Sequence, residues 1–274
     1  MGLFDAVIDR IAASAPLFNP EDYMGEDGLM YCGKCHTCRQ KRIELFGVDR
    51  TVPIMCRCMA DGYRAEEERA KMLRLNKVRR RCLMEEADAA CTFSNDDRSH
   101  PTISDAMKRY ADNFQEMKAK NFGLLLYGPV GTGKTFYAAC VANALIDREI
   151  SVKMTNFTRI INDMQSSFDG RQEYLDALNR NSLLIIDDLG VERESEYMQE
   201  QVYNIIDARY RVGLPLIVTT NISLEEIKNP RNTQRQRIYD RVIEMCHPVK
   251  VEGGSRRRKA VIDHYAERRK MLGV

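Results

Sequence analysis

Lys134 and Thr135 close the run GPVGTGKT, whose residue types suit the binding of a polyphosphate. Gly128, Gly131 and Gly133 let the backbone turn its amides inward with no side chain in the way, and Pro129, Val130 and Thr132 complete the loop. Inward amides and a following helix N-terminus supply partial positive charge. Lys134 adds a full charge for β and γ phosphates, and the Thr135 hydroxyl can take a coordination position on Mg2+. Further along, LLIIDDLG is an apolar run ending in two carboxylates. Asp187 is the expected magnesium partner, commonly through water, and Asp188 is placed to polarise an attacking water. In PLIVTTN the polar Asn221 ends another apolar run, where an amide can position that water or sense the γ-phosphate; the rival role is a helix cap before SLEEI. Arg237 and Arg241, four apart in RQRIYDRVIE, share a helix face and can stabilise phosphoryl-transfer charge from a neighbouring subunit, although arginines on such faces are commonly just solvated.

A second constellation lies nearer the start. Cys32 and Cys35 form a Cys-x-x-Cys knuckle, and Cys56 and Cys58 close it after 20 intervening residues. Four thiolates from two short turns match a tetrahedral, structural Zn2+ site with no open position. A segment so poor in large apolar residues needs such a staple. Cys38 is the substitute ligand, expected near the start of a helix and pointing away from the metal, and His36 a bystander. Cys82, Cys91, Cys140 and Cys246 stand singly and read as buried small thiols.

The elements that must hold these groups follow from the pattern. Residues 3–14 read as a short amphipathic helix, and residues 63–91, free of Gly and Pro, as one long helix with Met72, Leu75, Val78 and Cys82 on a narrow apolar stripe. FSNDDRSHPT breaks the chain, so the expected domains are a small, helix-rich, zinc-binding one over 1–95 and a larger one over 102–274. From Thr102 helices alternate with apolar runs: helix 103–118, strands GLLLYG, SVKMTN, SLLIID, PLIVTT and PVKVE, with helices between them and a terminal helix over 256–272. Strands apolar throughout and separated by helices predict an α/β fold, a parallel sheet covered on both faces.

Composition sets the outer bounds. Of 274 residues 44% are hydrophobic and 30% charged, enough for a packed core and a solvated surface, so the chain is not disordered as a whole. The formal net charge is +2, yet from Arg231 to Val274 there are 12 Lys and Arg against 5 Asp and Glu, a tail able to attract an anionic polymer. No stretch approaches the roughly 20 apolar residues of a membrane span. The opening MGLFDAVIDR lacks a basic start and a cleavage site, so the expectation is a cytoplasmic protein whose nine cysteines serve as ligands or buried thiols rather than disulfides.

Taken together, GPVGTGKT, LLIIDDLG, PLIVTTN and IYDRVIEM with VKVEGGSRR resemble the AAA+ ATPase domain of replicative helicase loaders of the DnaC and DnaI type, and of their cousin, the IstB-type transposition ATPase, over about residues 102 to 260. The segment YCGKC with VPIMCRC is similar to the amino-terminal zinc domain of the DnaI-type loaders. The resemblance implies an ATPase using ATP, Mg2+ and Zn2+, a front domain gripping a DnaB-type helicase, a motor binding single-stranded DNA, and a homo-oligomer on DNA or on the helicase ring. It gives Lys134 and Thr135 to phosphate and magnesium, Asp187 and Asp188 to magnesium and water, Asn221 to sensor 1, Arg237 or Arg241 to the trans-acting arginine, and Arg256 to a further basic contact. The helix FTRIINDMQSSF, with Phe168 for stacking, is the expected strand-contacting element. Two departures stand out. The second acid is Asp188 where many AAA+ ATPases have Glu, and too few residues follow the last strand for a separate helical lid, which implies slow turnover and ATP used as a switch.

Overall fold

A computed structural model describes residues 19–273 apart from 46, 167–169, 191–194, 231, 256–264 and 266–267. The expected helix over 3–14, Phe168, Arg256 and most of the expected terminal helix lie outside the described residues. The chain forms two compact units, Met1–Arg74 and Leu75–Val274.

In the first unit β1 (Tyr23–Met24) pairs antiparallel with β2 (Met30–Tyr31), and β3 (Gln40–Leu45) with β4 (Val48–Pro53). Leu45 stands opposite Val48, and Gly47 between them has φ 76°. Helix α1 (Arg57–Cys82) begins between the two cysteines of the second pair, so that Cys58 lies in its first turn. Only half of the apolar stripe expected on it is covered. Leu75 is buried and Cys82 packs half-buried against the core, whereas Met72 and Val78 are 55% and 37% exposed, and the helix buries Arg79 as well. Arg79 can be buried because its guanidinium finds acceptors: Nε donates to Asn143 at 3.0 Å, Nη1 to Asn76 at 3.1 Å, and Nη2 pairs with Asp147. The expected single helix over 63–91 also stops at Cys82, and a 3-10 turn over Glu86–Ala90 restarts under a capping box formed by Glu85 and Asp88.

The second unit is built on a parallel sheet in the order β6-β7-β8-β5-β9, from β5 (Gly123–Tyr127), β6 (Val152–Asn156), β7 (Leu183–Leu189), β8 (Leu216–Thr220) and β9 (Cys246–Lys250). All five expected strands are present. Their continuous apolar character reflects burial on both faces. Leu124, Leu126, Ile185 and Ile217 join one core cluster, with Tyr137, Val141 and Leu145 of α4 (Lys134–Asp147) and Met107 of α2 (Pro101–Asp112). The alternate residues Leu125, Leu184, Ile186 and Val218 join the other, with Phe157 and Ile160 of α5 (Phe157–Ser166), Leu175 of α6 (Arg171–Asn179), Ile206 of α7 (Glu196–Val212) and Val242 of α9 (Thr233–Met245). The period of two along each strand thus divides the core between the faces.

The expected helix over 103–118 is two pieces, α2 and α3 (Phe114–Ala119), because Asn113 leaves helical geometry and its Nδ2 donates to the carbonyl of Arg109 at 2.9 Å. Strand β9 begins at Cys246 rather than at Pro248. It is an edge strand bonded to β5, which is where a proline is tolerated. At the sheet end where β7 and β8 begin, the buried Arg209 donates to the carbonyls of Asn179, Asn181, Ser182 and Pro215 at 2.7–3.3 Å. Burial pulls its pKa down to about 10, so it remains charged at neutral pH and clamps both loops.

Candidate nucleotide site and cysteine cluster

The loop between β5 and α4 has positive φ at Gly128 (145°), Gly131 (84°) and Gly133 (100°). Two of these glycines also permit close approach: a Cβ on Gly128 would meet the Val251 carbonyl at 2.3 Å, and one on Gly131 would meet Ser255 Oγ at 2.3 Å. The segment after β9 therefore lies flush against the loop. Thr132, wholly buried, braces the loop from within by donating to the Pro129 carbonyl at 3.0 Å, while Val130 stands exposed at the tip. Lys134 opens α4 and is buried, its Nζ donating to the carbonyls of Gly128 (2.8 Å) and Pro129 (2.7 Å). The ammonium is thus held within the loop, beside the amides that would face phosphate.

Thr135 Oγ1 donates to Asp187 at 3.0 and 3.1 Å from its two carboxylate oxygens, joining the phosphate loop to the end of β7 across 52 residues of sequence. Asp187 is buried, and its pKa is raised, chiefly by desolvation, with the neighbouring Asp188 charge adding to the rise; hydroxyl donors on Thr219 and Thr135 oppose it. A carboxylate raised in this way favours a cation beside it. Asp188 is exposed and has φ 57°. Thr219 joins the two acids: its Oγ1 donates to Asp187 Oδ1 at 2.6 Å and accepts the Asp188 N–H at 2.9 Å. Sequence reading passed over Thr219, whose only signal was a hydroxyl at the C-terminal end of a neighbouring strand.

Asn221 follows β8 directly and is exposed, without a hydrogen-bond partner among the described residues. The cap of α8 (Leu224–Lys228) is Ser223, whose Oγ accepts from Glu226 N at 3.2 Å, so Asn221 is not spent on that helix. Arg237 and Arg241 both lie on α9 in an open groove of about 630 Å³ shared with Tyr203, Asp240, Ile243 and Glu244; no phosphate-loop residue lines it. Their surroundings differ. Arg241 sits 4.1 Å over the Tyr210 ring and pairs with Glu244 at 2.8 Å and Asp207 at 3.4 Å. Arg237 is exposed, with its guanidinium 5.1 Å from the Tyr203 ring and no ion pair among the described residues.

In the first unit the sulphurs of Cys32, Cys35, Cys56 and Cys58 all lie within 4.8 Å of one another, with Cys32–Cys58 at 3.6 Å and Cys56–Cys58 at 3.4 Å. Tetrahedral Zn–S bonds of about 2.3 Å require S–S separations near ~3.8 Å, so the cluster fits a zinc-sized ion. The Thr37 hydroxyl and backbone donors draw Cys35 down to about 5, while the crowding thiols of Cys56, Cys32 and Cys35 push Cys58 up to about 12. Thiolates gathered this closely repel one another, and a cation held among them would relieve that repulsion. Cys38 stands outside the cluster with its Sγ 2.9 Å from the Gln40 carbonyl, in a β-bridge to Tyr31 rather than at a helix start. His36 is also outside, its Nδ1 3.2 Å from Tyr23 Oη. Asp22, which accepts from the Gly33 amide at 3.1 Å and pairs with buried Arg39, braces the knuckle.

The parallel sheet, its strand order and the loop joined to a strand-end acid define a P-loop, AAA+ type of ATP-binding fold. The chain belongs to the family of IstB-like ATP binding proteins, whose family model matches residues 59–263. Among curated relatives, the replicative helicase loader DnaI of Bacillus subtilis (strain 168) is 25% identical over 185 residues, covering 61% of this chain and 58% of its own length. The replicative helicase loader DnaC of Escherichia coli (strain K12) is 28% identical over 141 residues, covering 50% of this chain and 58% of its own. An ATP-binding protein in an insertion sequence of Mycobacterium tuberculosis is 26% identical over 175 residues, 62% of this chain and 69% of that protein. The match thus spans little more than half the length of the two loaders. In fold, the chain is similar to the crystal structure of DnaI (TM-score 0.52, 24% identity, 64% of this chain and 96% of that one) and to that of the DnaC helicase loader (TM-score 0.52, 21% identity, 61% and 100%).

Proposed function

We propose that the protein is an ATP-dependent loader of a DnaB-type replicative helicase onto single-stranded DNA, with ATP binding and hydrolysis acting as a slow switch. The observation that carries this reading is the bond between Thr135 and Asp187, which joins the glycine loop to the acid at the end of β7 in a chain whose relatives include helicase loaders. The loop amides and Lys134 hold the phosphates, and Thr135 and Asp187 hold Mg2+. Asp188 orients and polarises the attacking water, and Asn221 aligns it against the γ-phosphate. Mg2+, when bound, neutralises charge on the β and γ phosphates. Arg237 is the arginine offered to a neighbouring copy's nucleotide, because Arg241 is already committed to Asp207 and Glu244.

On this reading residues 1–95 contain the helicase-contacting part, its knuckle set by Zn2+ on Cys32, Cys35, Cys56 and Cys58, and 102–274 the ATPase. Leu83, Ala89 and Phe93 join the core of the second unit and so belong to its frame. ATP favours the state that holds helicase and DNA by as much as its affinity differs between the two states, and hydrolysis releases the partner. The test is co-purification with a DnaB-type helicase, with and without ATP, using the wild type and Cys32→Ser. ATP-dependent capture that fails in Cys32→Ser is expected; capture fully retained by Cys32→Ser contradicts the role of the front segment.

A second reading follows from the insertion-sequence relative: a transposition helper that selects target DNA. It predicts a preference for duplex. A gel-shift comparison separates the two, since a loader prefers single strands and loses affinity with a slope of roughly −0.7 per phosphate neutralised as salt rises.

A further inference from the structure

Two adjacent acids at the end of one strand would ordinarily point to opposite faces of the sheet. Here the register between β7 and β8 shifts: Ile186 pairs with Val218, while Leu189 pairs with Thr220. Asp187 and Asp188 together therefore stand against the single residue Thr219, two residues opposed by one, which is a β-bulge. Within it Asp188 adopts φ 57°, a left-handed conformation that a residue with a Cβ enters only when its surroundings hold it there.

The Thr219 hydroxyl is what holds it. Its oxygen accepts the Asp188 N–H at 2.9 Å, a donor that the shifted register takes out of the ladder. Its proton goes to Asp187 Oδ1 at 2.6 Å. Thr219 is fully buried, so no solvent competes for either bond. The outcome is a division of labour: Asp187 is buried against Thr135 while Asp188 emerges into the open. We infer that Thr219 is a positioning residue for ATP hydrolysis, its hydroxyl fastening the bulge that seats Asp187 at the metal position and aims Asp188 at the attacking water.

This inference rests on the ATPase reading above, and its test is built to separate the two. Thr219→Val keeps the shape, the β-branch and the strand preference but removes both bonds; Thr219→Ser keeps both. In steady-state ATP hydrolysis kcat should fall by roughly 10- to 100-fold in Thr219→Val, the loss expected when a reacting group is displaced by about 1 Å. Nucleotide affinity, measured by calorimetry in the presence of Mg2+, should stay near the wild-type value, and Thr219→Ser should restore kcat. Amide hydrogen exchange at Asp188 supplies a readout free of activity: slow in the wild type and in Thr219→Ser, fast in Thr219→Val. Fast exchange in the folded wild type overturns the proposal whether or not Thr219→Val folds. So does wild-type kcat in Thr219→Val, a Thr219→Ser variant as slow as Thr219→Val, or a loss of affinity parallel to the loss of kcat. A folded wild type with no ATP hydrolysis at all sinks the parent reading, and this inference with it.

Discussion

Arg237 and Arg241 stand one helical turn apart, yet different partners hold them, and that difference gives each a different expected phenotype. Arg237 meets one aromatic face and no acid among the described residues, so Arg237→Ala should leave the melting temperature unchanged while assembled-state ATP turnover falls by about 10³-fold. Arg241 shares the buried Asp207 with Arg211 and also pairs with Glu244, so Arg241→Ala should lower the melting temperature slightly, with a smaller effect on turnover. A reversed pattern would move the trans-acting role to Arg241. At this scale the phosphate loop and the paired acids were legible because their chemistry is written in contiguous residues. Thr219, Arg209 and Asn143 were not, since each acts on groups that are remote in sequence and adjacent in space: Thr219 bonds across 32 residues to Asp187, and Asn143 across 55 to Asp88.

Helix α4 carries the phosphate loop at one end and a buried polar junction at the other. Asn143 reads as an intruder in an apolar helix, but its Nδ2 donates to the carbonyls of Asp88, Cys91 and Ala139 at 2.8–3.0 Å and its Oδ1 accepts from Arg79. Asn143→Leu fits the volume and leaves these partners unsatisfied, so it should cost about 2–4 kcal/mol in urea unfolding. An unchanged midpoint would show that the junction contributes nothing. The same junction explains why the stripe expected on α1 is only half covered, Leu75 and Cys82 packing inward while Val78 does not: a periodic apolar pattern predicts which face is buried only where burial is driven by apolar contact, and here a satisfied guanidinium shares that role. The strands of the parallel sheet were read correctly because burial on both faces leaves a continuous apolar run. The hairpins of the first unit were missed, for β3 and β4 are half exposed and mostly polar, QKRIEL against VDRTVP.

For the molecule as a whole, the two units are expected to draw their stability from different sources. The second has apolar clusters on both faces of its sheet, whereas the described residues of the first bury few large side chains and gather four sulphurs instead. Metal binding should therefore supply folding free energy to the first unit alone. Removing metal with a strong chelator should abolish the first unit's protease resistance, release about one zinc per chain on the tetrathiolate stoichiometry, and leave the second unit's unfolding transition in place. Loss of both units together would contradict that separation. Among the described residues no helix is long and apolar enough to cross a membrane. On the proposed function, the loop from Gly128 to Thr135, with Asp187, seats a nucleoside triphosphate and its Mg2+. Titrating ATP with Mg2+ into the folded protein in a calorimeter tests it most directly. Saturable binding at one site per chain, weakened at least about 10-fold in Lys134→Ala by loss of a charge-assisted contact, is the predicted result; no heat from the folded wild type, or equally tight binding by Lys134→Ala, would contradict it.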